Sequence, residues 1–201
     1  MLRTLFHRIR SLAADENGVA AVEAAFVAPA ALILMSVGVA AGQTLELYHK
    51  TVVTAHDVTD LVSRTPLNPD PNVSLAEQVS QSQLCADLSL SQMTMYPENT
   101  TSLQIVMTEL SVNSSGNTGT VVWSKAYNGA VAMVAGTTIA LDPAYVASGA
   151  SYLLYGQVSY SFQPLGGILK LPQITLTSSD MLTIRNAQQI TIPDLTTAQC
   201  S

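Results

Sequence analysis

The chain has 201 residues, room for one ordinary domain plus an anchor, and a formal net charge of −6. Only 11% of residues are charged and 48% are hydrophobic, and the mean hydropathy of +0.30 is high for a soluble protein. The acidic balance argues against a nucleic-acid partner, and two cysteines, Cys85 and Cys200, are too few for a disulfide framework and lack metal-site spacing.

The first ten positions hold Arg3, Arg8 and Arg10, with His7 among them. Residues 19–41 then read VAAVEAAFVAPAALILMSVGVAA, a run of 23 with one charge, Glu23. As a helix this run spans about 34 Å, enough for a hydrocarbon core of about 30 Å. A fully buried soluble helix is usually shorter and lacks a one-sided basic flank. The positive-inside rule places the N-terminus in the cytoplasm and everything after about residue 45 outside. A cleavable signal peptide has a short apolar core and a small-x-small site after it. This core is too long and continues without a break, although Val39, Ala41 and Gly42 leave a start near Gln43 as an alternative.

The near end of the run carries more information. The sequence ADENGVAAVE places Gly18 at the end of a polar, basic leader, with Glu23 the fifth residue after it. A glycine there is expected to break the helix ahead of the apolar run. A glutamate one turn inside lipid is costly unless it meets a positive partner. Its plainer reading is a side chain at the membrane interface beside Asp15 and Glu16. Pro29, within the run, removes one helical hydrogen bond and favours a kink.

These residues resemble the prepilin-peptidase motif of type IV pilins and pseudopilins. More narrowly, Gly18, the Val22–Glu23 pair and Pro29 in a Leu-rich run look like the TadE-like family, the minor pilins (pseudopilins) of tight-adherence (Flp-type) pilus systems. The specific part covers about 30 residues. Two departures stand out: Ala24 follows Glu23 where many tight-adherence pilins carry an aromatic, and the chain continues far beyond the short major pilins. The second departure argues for a minor component. The resemblance implies cleavage between Gly18 and Val19 by a prepilin peptidase. It implies that the amine of one subunit meets Glu23 of a neighbour during assembly. It further implies other pilin or pseudopilin subunits, an inner-membrane assembly platform and the lipid bilayer as partners, and a role in adhesion, biofilm formation or surface colonisation.

Past the run, the helix is expected to continue to residue 64, about 69 Å from residue 19. Leu45, Tyr48, Val52, Ala55 and Val62, with Thr59, form its apolar stripe. Glu46–Lys50 and Asp60–Arg64 are opposite charges one turn apart. Pro66 ends the helix in a turn-rich loop, and Ser74 with Glu77 reads as a capping box opening a second short helix. From about residue 90 the pattern turns to β. Residues 103–112 and 120–127 read as a hairpin joined by NSSGNTG, with Val121, Trp123 and Tyr127 on one face. Residues 152–162 alternate through Tyr152, Leu154, Val158, Tyr160 and Phe162, a Pro-Leu-Gly-Gly turn follows, and residues 182–192 alternate again.

The expected fold is therefore α+β: a long N-terminal transmembrane helix continuing as a stalk, packed on a small, mainly antiparallel sheet in a pilin-like shape. The organisation is a cytoplasmic leader at 1–18, a transmembrane helix at 19–41, a helical stalk at 42–65 and an extracytoplasmic α+β domain at 66–201. Cys85 and Cys200 bracket the β region; they either close it through a disulfide in an oxidising periplasm or remain two thiols.

Catalytic signatures are missing. The sequence holds no HExxH, Cys-x-x-Cys, GxSxG, P-loop or GxGxxG, and no carboxylate pair reads as an acid/base couple. His49 and His56 share a helix face near Asp57 and Asp60, but read as solvated polar residues and not as metal ligands. Asp87, Ser89 and Ser91 match the start of the metal-dependent adhesion motif of von Willebrand type A domains, without the buried strand that should precede it or the length that should follow. The reading is a non-enzymatic minor pilin-like subunit with no cofactor and no metal. The alternatives are a permanently anchored single-pass binding protein with an uncleaved leader, and an anchored periplasmic enzyme.

Overall fold

The structure, a computed structural model, describes residues 16–64, 77–113, 117–141, 151–167, 171–185, 189–192, 195 and 199–200. The basic leader, the Pro66 loop and Ser74 lie outside the described residues. In chain order the elements are α1 (Glu16–Ser63), β1 (Glu77–Gln78), α2 (Gln81–Leu90), β2 (Leu103–Val112), β3 (Thr118–Tyr127), β4 (Thr138–Ala140), β5 (Tyr152–Phe162), β6 (Ile174–Thr183), β7 (Ile190–Thr191) and β8 (Gln199–Cys200).

α1 runs for 48 residues, about 72 Å, and its two halves differ. The side chains of residues 18–35 are all exposed, whereas from Leu47 onward one face is buried against the sheet. That face is Leu47, Thr51, Thr54, Ala55, Val58, Thr59 and Val62. The stripe read from the sequence is therefore out of phase at its start: Leu45 is 71% exposed, and Tyr48 and Val52 also point outward. The threonines explain the difference. Thr51, Thr54 and Thr59 each donate to the carbonyl one turn back, at 2.7, 2.8 and 2.7 Å. With its hydroxyl satisfied inside its own helix, each threonine buries as a small side chain without the cost of an unpaired polar group.

The main sheet has the order β4–β3–β2–β5–β6, antiparallel throughout, with β8 added parallel to β3. The chain is thus α+β, a long N-terminal apolar helix packed on a curled antiparallel sheet. β5 and β6 lie under α1. Leu103, Ile105 and Met107 of β2 and Leu154, Val158 and Tyr160 of β5 fill the layer between sheet and helices. On the opposite face a second cluster joins Leu110, Val121, Leu141, Leu153 and Met181.

Three further expectations are corrected. First, β2 and β3 do form the hairpin, but a bulge at Glu109/Leu110 shifts the register: Glu109 faces Trp123, Leu110 faces Val121, and Val122 is skipped. One extra residue reverses the alternation, so Trp123 packs toward the helices while Val121 packs on the other face. Second, residues 182–192 are not one strand. Leu182 is the last residue but one of β6, a strand the alternation did not reveal, and Ile190–Thr191 is the separate β7, paired in parallel with β1. Third, Glu77 lies in β1 and does not cap a helix; α2 starts later, where the Ser80 hydroxyl accepts from the Gln83 N–H at 3.2 Å. Leu84 and Leu88 of α2 are buried in the main core.

Cys85 of α2 and Cys200 of β8, 115 positions apart in sequence, form a disulfide with their Cα atoms 5.5 Å apart. The bond ties the C-terminal strand to the helix that precedes the sheet.

Candidate functional site

Residues 18–35 of α1 are apolar on every side apart from Glu23, and no described part of the chain buries them. Phe26 is 78% exposed and Leu34 73%. A helix serving a soluble domain has one apolar stripe and a polar face; this segment has no polar face. Its best window has a mean hydropathy of 2.2 with none of it buried, so α1 is long and apolar enough to cross a membrane and is not folded away in the β domain. The few hydroxyls here are satisfied within the helix: Ser36 donates to Leu32 O at 2.7 Å and Thr44 to Ala40 O at 2.8 Å.

Gly18, Val19, Glu23 and Pro29 all lie on this exposed half. Gly18 does not break the helix, which begins before it at Glu16. The physical reason is magnitude: one glycine costs a helix about 1 kcal/mol, and Ala20, Ala21, Ala24 and Ala25, strong helix formers, lie within the next two turns. The helix also runs through Pro29, which has no N–H to give the Ala25 carbonyl. Glu23 has no ion-pair partner among the described residues, and no other acidic or basic side chain lies between residues 19 and 41.

Where α1 meets the β domain the chemistry changes within one turn. Gln43 Oε1 accepts from the Leu165 N–H at 3.0 Å. Beyond it, Lys50 lies 3.2 Å from Glu46 and 3.4 Å from Glu98, fastening the helix to the segment before β2. Partial desolvation lowers the Lys50 pKa, but hydrogen bonds to Glu46 and Glu98 outweigh it and hold the ammonium above its ordinary value. Tyr160, buried nearby, is raised mainly by desolvation. At the far end of α1, Asp60 meets Arg64 at 2.7 Å and Arg185 at 2.9 Å.

No group of three or more His, Cys, Asp or Glu side chains converges among the described residues. His56 Nδ1 sits 2.7 Å from Asp180 Oδ2 on β6, a contact that pairs helix with sheet. Asp87 and Ser89 are on α2, and Ser89 and Ser91 each donate to a carbonyl three residues back, at 2.7 Å.

Two features escaped the sequence. Glu109 is fully buried; its Oε1 accepts from the Ile190 N–H at 2.8 Å while its Oε2 has no hydrogen-bond partner among the described residues. Burial pushes this carboxyl up to about 7, against the opposing pull of the Ile190 N–H and the Trp123 indole. The Trp123 Nε1–H in turn donates to Ile190 O at 2.9 Å, so both strands of the bulge hold β7 in place. Gly156, in the interior of β5, faces Thr59 so closely that a Cβ there would meet Thr59 Oγ1 at 2.0 Å. A glycine inside an alternating strand is the signal for such an approach; for Glu109 no local signal exists, because its neighbours arrive from distant parts of the chain. Comparison with family models, with curated proteins and with solved structures finds no match to this chain.

Proposed function

We propose that this chain is a minor, pilin-like subunit of the TadE-like kind, anchored in a bacterial inner membrane by the first half of α1 and serving assembly of a tight-adherence-type pilus in adhesion or biofilm formation. The observation that carries the reading is an uncovered apolar helix that contains a single acid, Glu23, five residues after a glycine. In lipid that acid calls for a positive partner, and a neighbouring subunit's N-terminal ammonium at Val19 supplies one. The leader is then cytoplasmic, prepilin peptidase cuts between Gly18 and Val19, and the β domain faces the periplasm or the filament surface. The partners are other pilin subunits, the assembly platform and the bilayer, with no catalytic step.

N-terminal mass spectrometry of the membrane-purified protein tests this directly. The expected mature chain begins at Val19. An intact leader, or a start near Gln43, overturns the assignment. A second reading, a permanently anchored single-pass binding protein with its leader uncut, has one observation in its favour: Gly18 lies within α1, so a protease would have to unwind the helix to reach the bond. It predicts the intact leader.

A further inference from the structure

The end of the β domain nearest the exposed half of α1 is itself apolar. An open notch of about 620 Å³ runs between α1 and the segments flanking the β5–β6 connection. Its helix wall extends from Leu32 to Thr44, and its opposite wall is Pro164, Leu165, Leu171, Pro172 and Ile174. Leu165 holds φ 56° and ψ 28°, a left-handed conformation that glycine takes freely and leucine does not. Two glycines follow it, also at positive φ. A bulky apolar side chain at the strained position of this turn is an outlier that points to a use for the side chain.

Depth identifies the use. Leu165 is bonded to Gln43, two residues past the end of the apolar run, about 3 Å along the helix. From Ala41 back to Leu32 is about 14 Å, close to half of a hydrocarbon core of about 30 Å. The helix wall of the notch is therefore about as long as one leaflet is deep. Directly beyond it, on the side away from the run, lies a polar hollow of about 710 Å³ whose lining includes Gln43, Glu46, Glu98 and Gln173. Apolar below and polar above, with the change at Gln43, is the gradient of a bilayer surface.

We propose that the domain is seated in the outer leaflet and not merely tethered to it, and that the notch between α1 and Leu165, Leu171 and Pro172 takes a phospholipid acyl chain. This rests on α1 spanning the membrane. The occupant is lipid because the notch is continuous with the lipid-facing surface of the same helix and matches a leaflet in depth. Covering these residues with hydrocarbon also removes an exposed apolar patch at the domain's edge.

The test uses the full chain, whose two native cysteines are joined, so an introduced cysteine is its one free thiol. Leu165→Cys, Leu171→Cys, Val27→Cys and Thr183→Cys are each labelled with an environment-sensitive fluorophore. Each is reconstituted in phosphatidylethanolamine–phosphatidylglycerol vesicles with doxyl-labelled acyl chains. Val27 reports on the span, and Thr183, exposed at the opposite end of β6, reports on water. The proposal expects quenching at Leu165 and Leu171 severalfold above Thr183 and of the order seen at Val27. Quenching at Val27 alone overturns the proposal and leaves the span standing. No quenching at either site overturns both. A blue shift at Leu165 that grows with protein concentration, without quenching, overturns the lipid assignment in favour of a second copy. Leu171 serves if the Leu165 variant misfolds.

Discussion

A carboxylic acid buried with one oxygen unpartnered gives up less free energy as a neutral acid than as an anion. Glu109 is in that position, and its pKa moves from 4.5 to about 7 for that reason. Lys125, the other buried charged residue on this layer, lies opposite Met107, two positions along β3 from Trp123. Between the unfolded and folded pKa values the native state holds a proton that the unfolded state has released. Stability contributed by this group is therefore complete below about 4.5, falls as pH rises toward about 7, and is level above it. The loss across that window is roughly 3 kcal/mol. Glu109→Gln keeps the volume and the acceptor for the Ile190 N–H but removes the ionisation. Urea unfolding should show the variant more stable than the parent at about pH 8, with the gap closing toward about pH 4. An equal gap at both pH values would mean that the carboxyl does not titrate in this window.

The packing of α1 on β5 turns on one close approach. Thr59 Oγ1 occupies the space where a Cβ on Gly156 would stand, with Thr59 Cβ and Met107 Cε at 3.3 and 3.4 Å from the same point. Thr59 cannot swing away easily, because its hydroxyl is buried and bonded to Ala55 O at 2.7 Å. Gly156→Ala should destabilise by about 1–3 kcal/mol through overpacking, outweighing the few tenths gained from a stiffer unfolded chain. Adding Thr59→Ala should recover part of the loss, and additive effects in thermal unfolding would show that the two sites do not compete for space. The same contact shows why the sequence was only partly legible. β2 and β5 match their alternating segments because apolar residues mark their inner faces. β6 did not stand out: its inward positions include Ser178 and Asp180, and Asp180 is there for His56. The buried stripe of α1 was misphased for a related reason, since threonines that satisfy themselves replace the leucines and valines a periodicity search weighs. Glu109, Ile190 and the parallel β1–β7 pair depend on long-range contacts that no local window contains.

At the scale of the whole molecule, the two halves of α1 answer to different surroundings. The outer half is held by Thr-lined packing, by Lys50 between two glutamates and by His56 on Asp180, while residues 19–41 of the inner half carry one charge, Glu23, and one hydroxyl, Ser36, among apolar side chains. The separation makes Glu23 testable on its own terms. Glu23→Val removes the one charge of residues 19–41 without touching the β domain. A charge costs about 2.5–3.5 kcal/mol at the centre of a spanning helix and less near its end, so the variant should enter the membrane at least as well as the parent. The domain should fold unchanged, as read by protection of the Cys85–Cys200 bond from reduction. What should fail is association: filaments sheared from cells, and cross-links between subunits, should be lost while the membrane-bound pool stays constant. An anchor that acts alone has no such requirement, because an exposed acid near the interface is solvated and its removal changes little. Filaments made in normal amounts by Glu23→Val would therefore favour the permanently anchored protein. Loss of filaments with normal insertion would point to a contact that the acid makes with another chain, because the described residues offer it no ion-pair partner.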